Sequence, residues 1–172
     1  MHPRHREHCA PAIGTTHEET SMFDILHRVG IKAPIDEVYK ALATPEGVSA
    51  WWTEETTGDR EVGGRLRLRF TDGDRELGVF HMRLAELTAP KSVIWEVIDG
   101  PAEWLGTKIR FALEQAGDFT IVLFKHEGWR ESNAFTHHCS TKWATFLLSL
   151  KALGETGTGR PSPRDVRIGD WH

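Results

Sequence analysis

From Arg65 to Phe70 every second residue is apolar, which places Leu66, Leu68 and Phe70 on one face of a strand and three arginines on the other. The same period of two returns in Val93, Trp95 and Val97 and in Ile109, Phe111 and Leu113. Glu76–Leu87 and Phe119–Lys125 read as further strands, the inward face of the former left open. An earlier strand begins near Met22 with MFDILHRVGI. Thr71-Asp72-Gly73-Asp74 and Gly117-Asp118 supply turn chemistry, and consecutive strands joined by short turns pair antiparallel. After the first strand, Pro34 followed by Asp36 and Glu37 predicts a short helix over Pro34–Ala43, because proline and acids suit a first turn. Thr44 then caps a second short helix that ends at Trp51-Trp52.

From Asn133 the apolar period lengthens to about 3.6 residues. Phe135, Cys139, Trp143, Phe146, Leu147, Leu150 and Leu153 make one stripe, with Asn133 as cap and Gly154 as stop, so a long amphipathic helix is expected over Ala134–Leu153. A one-faced sheet and a one-striped helix bury their apolar sides against each other. The expected fold is therefore α+β, a curved antiparallel sheet wrapped around a long C-terminal helix. Residues 1–20 read as a leader without periodicity and residues 21–154 as the folded domain. Glu155–His172, rich in Gly, Pro and charge, reads as a tail extended along the surface.

Composition adjusts this picture at its edges. A net charge of -4 argues against nucleic acid, whose binders carry a basic stripe. No apolar run approaches a membrane span or a signal peptide, and the two cysteines, Cys9 and Cys139, form no CxxC pair, so a cytoplasmic protein with reduced thiols is expected. His2, His5, His8, Cys9 and His17 are scattered along the leader without the secondary structure that fixes metal ligands, so neither metal nor cofactor is expected. Gly154–Arg160 imitates phosphate-loop glycine spacing, yet it has Arg160-Pro161 where Lys and Ser or Thr are needed and follows a helix where the motif opens one.

Seven tryptophans against one tyrosine is an unusual balance. By position, Trp51, Trp52, Trp95 and Trp143 converge between sheet and helix. With Phe111, Phe135, Cys139 and Leu147 they form the expected lining of an apolar site, unless they simply pack as core. Cys139 has no base on its own helix, since His138 points about 100° away, and it reads as packing. His81 and His126 are the candidate proton carriers. His126-Glu127 follows a strand, so at most one of the two looks inward, and the pair otherwise reads as a loop closing the sheet edge.

Several strings resemble the START-like, or SRPBCC, helix-grip superfamily, and in particular its branch related to the activator of heat-shock-protein ATPase. They are Ala33-Pro34-Ile35-Asp36-Glu37-Val38-Tyr39, Thr44-Pro45-Glu46-Gly47 leading to Trp51-Trp52, His126-Glu127-Gly128-Trp129, and Cys139-Ser140-Thr141-Lys142-Trp143 running into Phe146–Lys151. The resemblance spans about Met22 to Ile168. It implies a cavity between sheet and long helix that takes hydrophobic or amphipathic ligands, in a superfamily of lipid carriers, polyketide cyclases and chaperone regulators. The expected function is binding of a small hydrophobic molecule. The alternatives are a cyclase- or hydrolase-type enzyme using the same cavity, and a chaperone-associated interaction module. Self-association through the exposed Leu148 or the sheet edge is also conceivable.

Overall fold

In the computed structural model, which describes residues 22–172, strands β1 (Phe23–Ile31), β2 (Glu55–Gly58), β3 (Arg65–Asp72), β4 (Arg75–Thr88), β5 (Ser92–Asp99), β6 (Lys108–Ala116) and β7 (Phe119–Trp129) form one sheet. Their order is β1-β7-β6-β5-β4-β3-β2, antiparallel throughout. Helices α1 (Ile35–Ala43) and α2 (Pro45–Ser49) follow β1, a 3₁₀ turn at Ala102–Trp104 follows β5, and α3 (Ala134–Thr156) crosses the concave face. The leader, with its histidines and Cys9, lies outside the described residues. Among the described residues no helix is long and apolar enough to cross a membrane.

Alternation along β3 buries Leu66 and Leu68 and leaves Arg65 and Arg67 in water. On β4 the inward residues are Phe80, Met82 and Leu84. Pattern alone hid that face because the β4–β5 register shifts twice, between His81 and Met82 and between Leu84 and Glu86. Strand β2 is four polar residues at the sheet edge, ETTG, with no apolar alternation to announce it.

Strand β7 runs past its expected end at Lys125 to Trp129. His126 is therefore inside the sheet, fully buried, and the reading of this string as an edge-closing loop is corrected. Glu127 points to the other face and pairs with Arg110 at 2.5 Å. Gly128, at φ 91, accompanies a register shift against β1 that turns Trp129 inward as well.

Thr44 caps α2 by accepting from Gly47 N–H at 3.0 Å, and Asn133 caps α3 through Phe135 and Thr136 N–H. Helix α2 ends at Ser49, so Trp51 and Trp52 sit in the turn after it. Gly154 does not stop α3. The helix continues to Thr156 and ends at Gly157, which has the left-handed φ of 81°. Gly154 instead permits close approach to β1, since a Cβ there would lie 2.7 Å from Ile31 Cγ2.

The tail is the largest departure from expectation. Arg160 N–H donates to Ser149 Oγ at 2.6 Å, and Ser162 N–H donates to Trp52 C=O at 2.9 Å. Pro161, Ser162, Asp165 and His172 are buried. These anchors are single polar groups in an aperiodic segment, so no hydrophobic pattern could reveal them.

Candidate functional site

The inner tryptophans stack. Trp52 lies 5.4 Å from Trp95 at 5° and 5.9 Å from Trp51 at 12°, while Phe111 meets Trp95 edge-on at 4.9 Å. Trp51 is held by donating its indole N–H to Ala41 C=O at 2.9 Å. Trp52 also meets Trp143, at 4.9 Å, so the space between Trp95 and Trp143 is filled by Trp52 itself. Stacked rings thus occupy the interface around Trp51, Trp52, Trp95 and Phe111.

Room remains nearer the start of α3, where a cavity of about 220 Å³ opens between sheet, helix and tail. Of the residues expected at a ligand site, Trp52, Phe135, Cys139 and Trp143 line it, whereas Trp51, Trp95, Phe111 and Leu147 are packed into the interior. Its aromatic wall includes Trp104, stacked on Phe80 at 5.1 Å and on Trp143 at 5.9 Å. The 3₁₀ turn that presents Trp104 left no periodic trace in the sequence. Opposite lie Lys142 from α3 and Ser162, Asp165, Trp171 and His172 from the tail, none of which sequence reasoning selected. A wider groove of about 580 Å³ between α1, α2 and the end of α3 is lined by Glu37, Lys40, Glu46 and Arg60 and has no aromatic wall.

His126 lies just beneath the cavity, edge-on to Trp104 at 4.6 Å and to Trp129 at 4.8 Å. Trp143 Nε1 donates to its Nδ1 at 3.2 Å. An indole N–H only donates, so Nδ1 accepts and the ring proton sits on Nε2, which donates to Thr107 Oγ1 at 2.8 Å. The Thr107 hydroxyl in turn donates to Trp104 C=O at 2.7 Å. Both ring nitrogens of His126 and the Thr107 hydroxyl proton are used in this chain. Burial pulls the His126 pKa down to about 3, so the ring is neutral and has no free nitrogen with which to move a proton.

His81 lies on the face of β4 opposite Met82, beside Asp99 at 3.4 Å, and does not line the cavity. The Cys139 thiol does line it, but burial pushes its pKa up to about 12, so it stays protonated and is a poor nucleophile. Burial, with Lys142 nearby, lowers the His138 pKa. Lys142 Nζ donates to Asp165 Oδ2 at 2.5 Å and to Val166 C=O at 2.7 Å, pinning the tail across the helix. Among the described residues no group of three or more His, Cys, Asp or Glu could hold a metal ion.

Comparison with known proteins adds to this geometry. Residues 32–155 match the family described as Activator of Hsp90 ATPase homolog 1-like protein. The Aha1 dimer from Colwellia psychrerythraea, solved in solution, is 40% identical, with a TM-score of 0.72, over 80% of this chain and 99% of that one. Two more distant structures share the fold. CalU16 from Micromonospora echinospora is 20% identical with a TM-score of 0.58, over 76% of this chain and 73% of that one. Major latex-like protein 151 from Panax ginseng is 15% identical with a TM-score of 0.62, over 77% and 97%. A search of curated protein sequences returned no match.

Proposed function

The chain belongs to the Activator of Hsp90 ATPase homolog 1-like family, and from that premise we propose that it binds a small hydrophobic or amphipathic molecule in the cavity between sheet, α3 and tail. The observation that carries this reading is the 220 Å³ of space left beside Trp52, Trp104 and Trp143 in an interior otherwise filled with stacked rings. A void of about 150 Å³ lined by apolar side chains admits benzene, so this one has room for roughly one or two fused rings. A long acyl chain gains no deeper burial, because Trp52 closes the route toward Trp95. Saturable quenching or shift of tryptophan emission by bicyclic aromatics, with a weaker response to long-chain fatty acids, is the expected result. A panel that leaves the emission unchanged removes the proposal.

The enzymatic alternative gains nothing from His126 or Cys139, one fully bonded and neutral, the other held as a thiol. A second reading, action on a partner protein, is favoured by the 40% identity to a protein called Aha1 that was solved as a dimer. On this chain Leu26 of the edge strand β1 and Leu123 of β7 are exposed. An Hsp90 ATPase assay with and without the purified chain tests it, and an unchanged rate at saturating protein counts against it. Sedimentation tests self-association separately.

A further inference from the structure

The cavity has a polar end that contains an unpartnered carboxylate oxygen, and Lys142 builds it together with residues 162–172, which lie beyond the residues 32–155 that match the family. Resting on the binding proposal above, we infer that the ligand is a planar one- or two-ring aromatic carrying a neutral hydrogen-bond donor, such as a phenolic hydroxyl, and not a carboxylate.

Lys142 is the obvious receptor for an acidic ligand, and it is already committed. Its ammonium has three donors. One goes to Asp165 Oδ2, one to Val166 C=O, and the third side of the group faces the Phe146 ring at 5.1 Å. Among the described residues no arginine lines the cavity; of its two histidines, His138 is biased toward its neutral form by burial and by Lys142, and His172 turns Nδ1 to Asp165 Oδ2 at 3.5 Å. A carboxylate entering here finds Lys142 and His172 already turned toward Asp165 and meets the like charge of that residue.

A carboxylate oxygen, by contrast, is left over. The Asp165 side chain is 3% exposed, yet its Oδ1 has no hydrogen-bond partner among the described residues. Ser162 Oγ, which can accept as well as donate, is also buried and unpartnered, as is the indole N–H of Trp104 on the aromatic wall; only Asp165 Oδ1 is restricted to accepting. A buried carboxylate oxygen without a donor is costly, and an incoming O–H or N–H relieves that cost. Neither Asp165 Oδ1 nor Ser162 Oγ touches solvent, so the donor reaches them only if the adjoining Trp171–His172 segment, whose His172 lies beside Asp165, moves aside. Trp171 is 53% exposed and rests on the His138 ring at 5.4 Å, whereas His172 C=O accepts from Ile168 N–H at 2.8 Å and the His172 ring lies 3.5 Å from Asp165, so these are the contacts that yield when the ligand enters. The aromatic body of the ligand then lies against Trp104 and Trp143, whose rings are within 16° of parallel.

The test compares 2-naphthol, 2-methoxynaphthalene and 2-naphthoate by tryptophan fluorescence titration at neutral pH. Naphthol and its methyl ether share ring and charge and differ in the donor. The expected order is naphthol tightest, the ether about tenfold weaker and naphthoate weakest, as a hydrogen bond to a charged acceptor predicts. In Asp165→Asn the naphthol-to-ether ratio should shrink toward one. Equal affinities, or naphthoate tightest, overturn the donor assignment while leaving cavity binding intact. No saturable binding by any of the three removes the binding proposal itself. Because the comparison on the unaltered protein is decisive alone, it survives a variant that fails to fold, and Ser162→Ala offers a milder second probe.

Discussion

Trp143 Nε1 lies 3.2 Å from His126 Nδ1, joining the middle of the long helix to the last strand through a bond that only one histidine tautomer can make. Protonating His126 would place two donors face to face in a space walled by Trp104 and Trp129. The structure therefore favours the neutral ring, consistent with the fall of its pKa to about 3.

That preference gives stability a defined pH dependence. The folded pKa lies below the ordinary value of 6.5, so the contribution is complete above pH 6.5 and is lost as pH falls from 6.5 toward 3. Urea unfolding across this window should show the native protein losing up to about 1.4 kcal/mol per pH unit relative to His126→Gln. Parallel curves for the two proteins would contradict the assignment.

Trp143→Phe keeps an aromatic ring but deletes the donor, leaving Nδ1 of His126 buried and unpaired. The expected cost is about 1–3 kcal/mol beyond the lost packing. His126 should then titrate at a higher pH, which imidazole proton shifts in NMR would report. In a His126→Leu background the polar part of the cost should vanish, so a double-mutant cycle measures it.

Gly47→Ala should be among the more damaging small changes outside the site. The added Cβ would lie 2.5 Å from Lys40 C=O oxygen and 2.6 Å from Ala41 Cα, both backbone atoms that cannot rotate away. Separating α1 from α2 to relieve this costs about 1–3 kcal/mol, read as a lower urea midpoint. Gly30→Ala is the control, since its Cβ would make only 3.5 Å contacts with Ile121 and Phe119 side chains. It should be close to neutral.

Cys139 should resist thiol reagents in the folded protein. It is 5% exposed, with its pKa pushed up to about 12 by burial. In a Cys9→Ser background, Ellman's reagent at pH 8 should label the native protein far more slowly than the urea-unfolded chain. Equal rates would show that the cavity opens freely to solvent.

The sheet and the long helix were legible because their signal is local. Leu66 and Leu68, or Cys139, Trp143 and Phe146, repeat at the period of their own backbone. Asn133 announces its cap through residues two and three positions away. Half of the expected lining, Trp52, Phe135, Cys139 and Trp143, faces the cavity. The other half shares the same apolar phase but lies one layer deeper, and phase carries no information about depth. The run of β7 through His126 was hidden because it continues across a register shift against β1 at Gly128, which local alternation does not reveal.

Alternation and helical period, with turn and cap residues between them, fix an antiparallel sheet closed on one amphipathic helix, since backbone geometry alone ties side-chain direction to position along the chain. Which ring fills the interior and which borders a void was settled only on folding, when Trp52 came to lie between Trp95 and Trp143, residues far from it along the chain. The same holds for the polar end of the cavity. Lys142 and Asp165 meet through a single ion pair across an aperiodic segment, and a pairwise attraction of that kind has no periodicity to leave in a sequence.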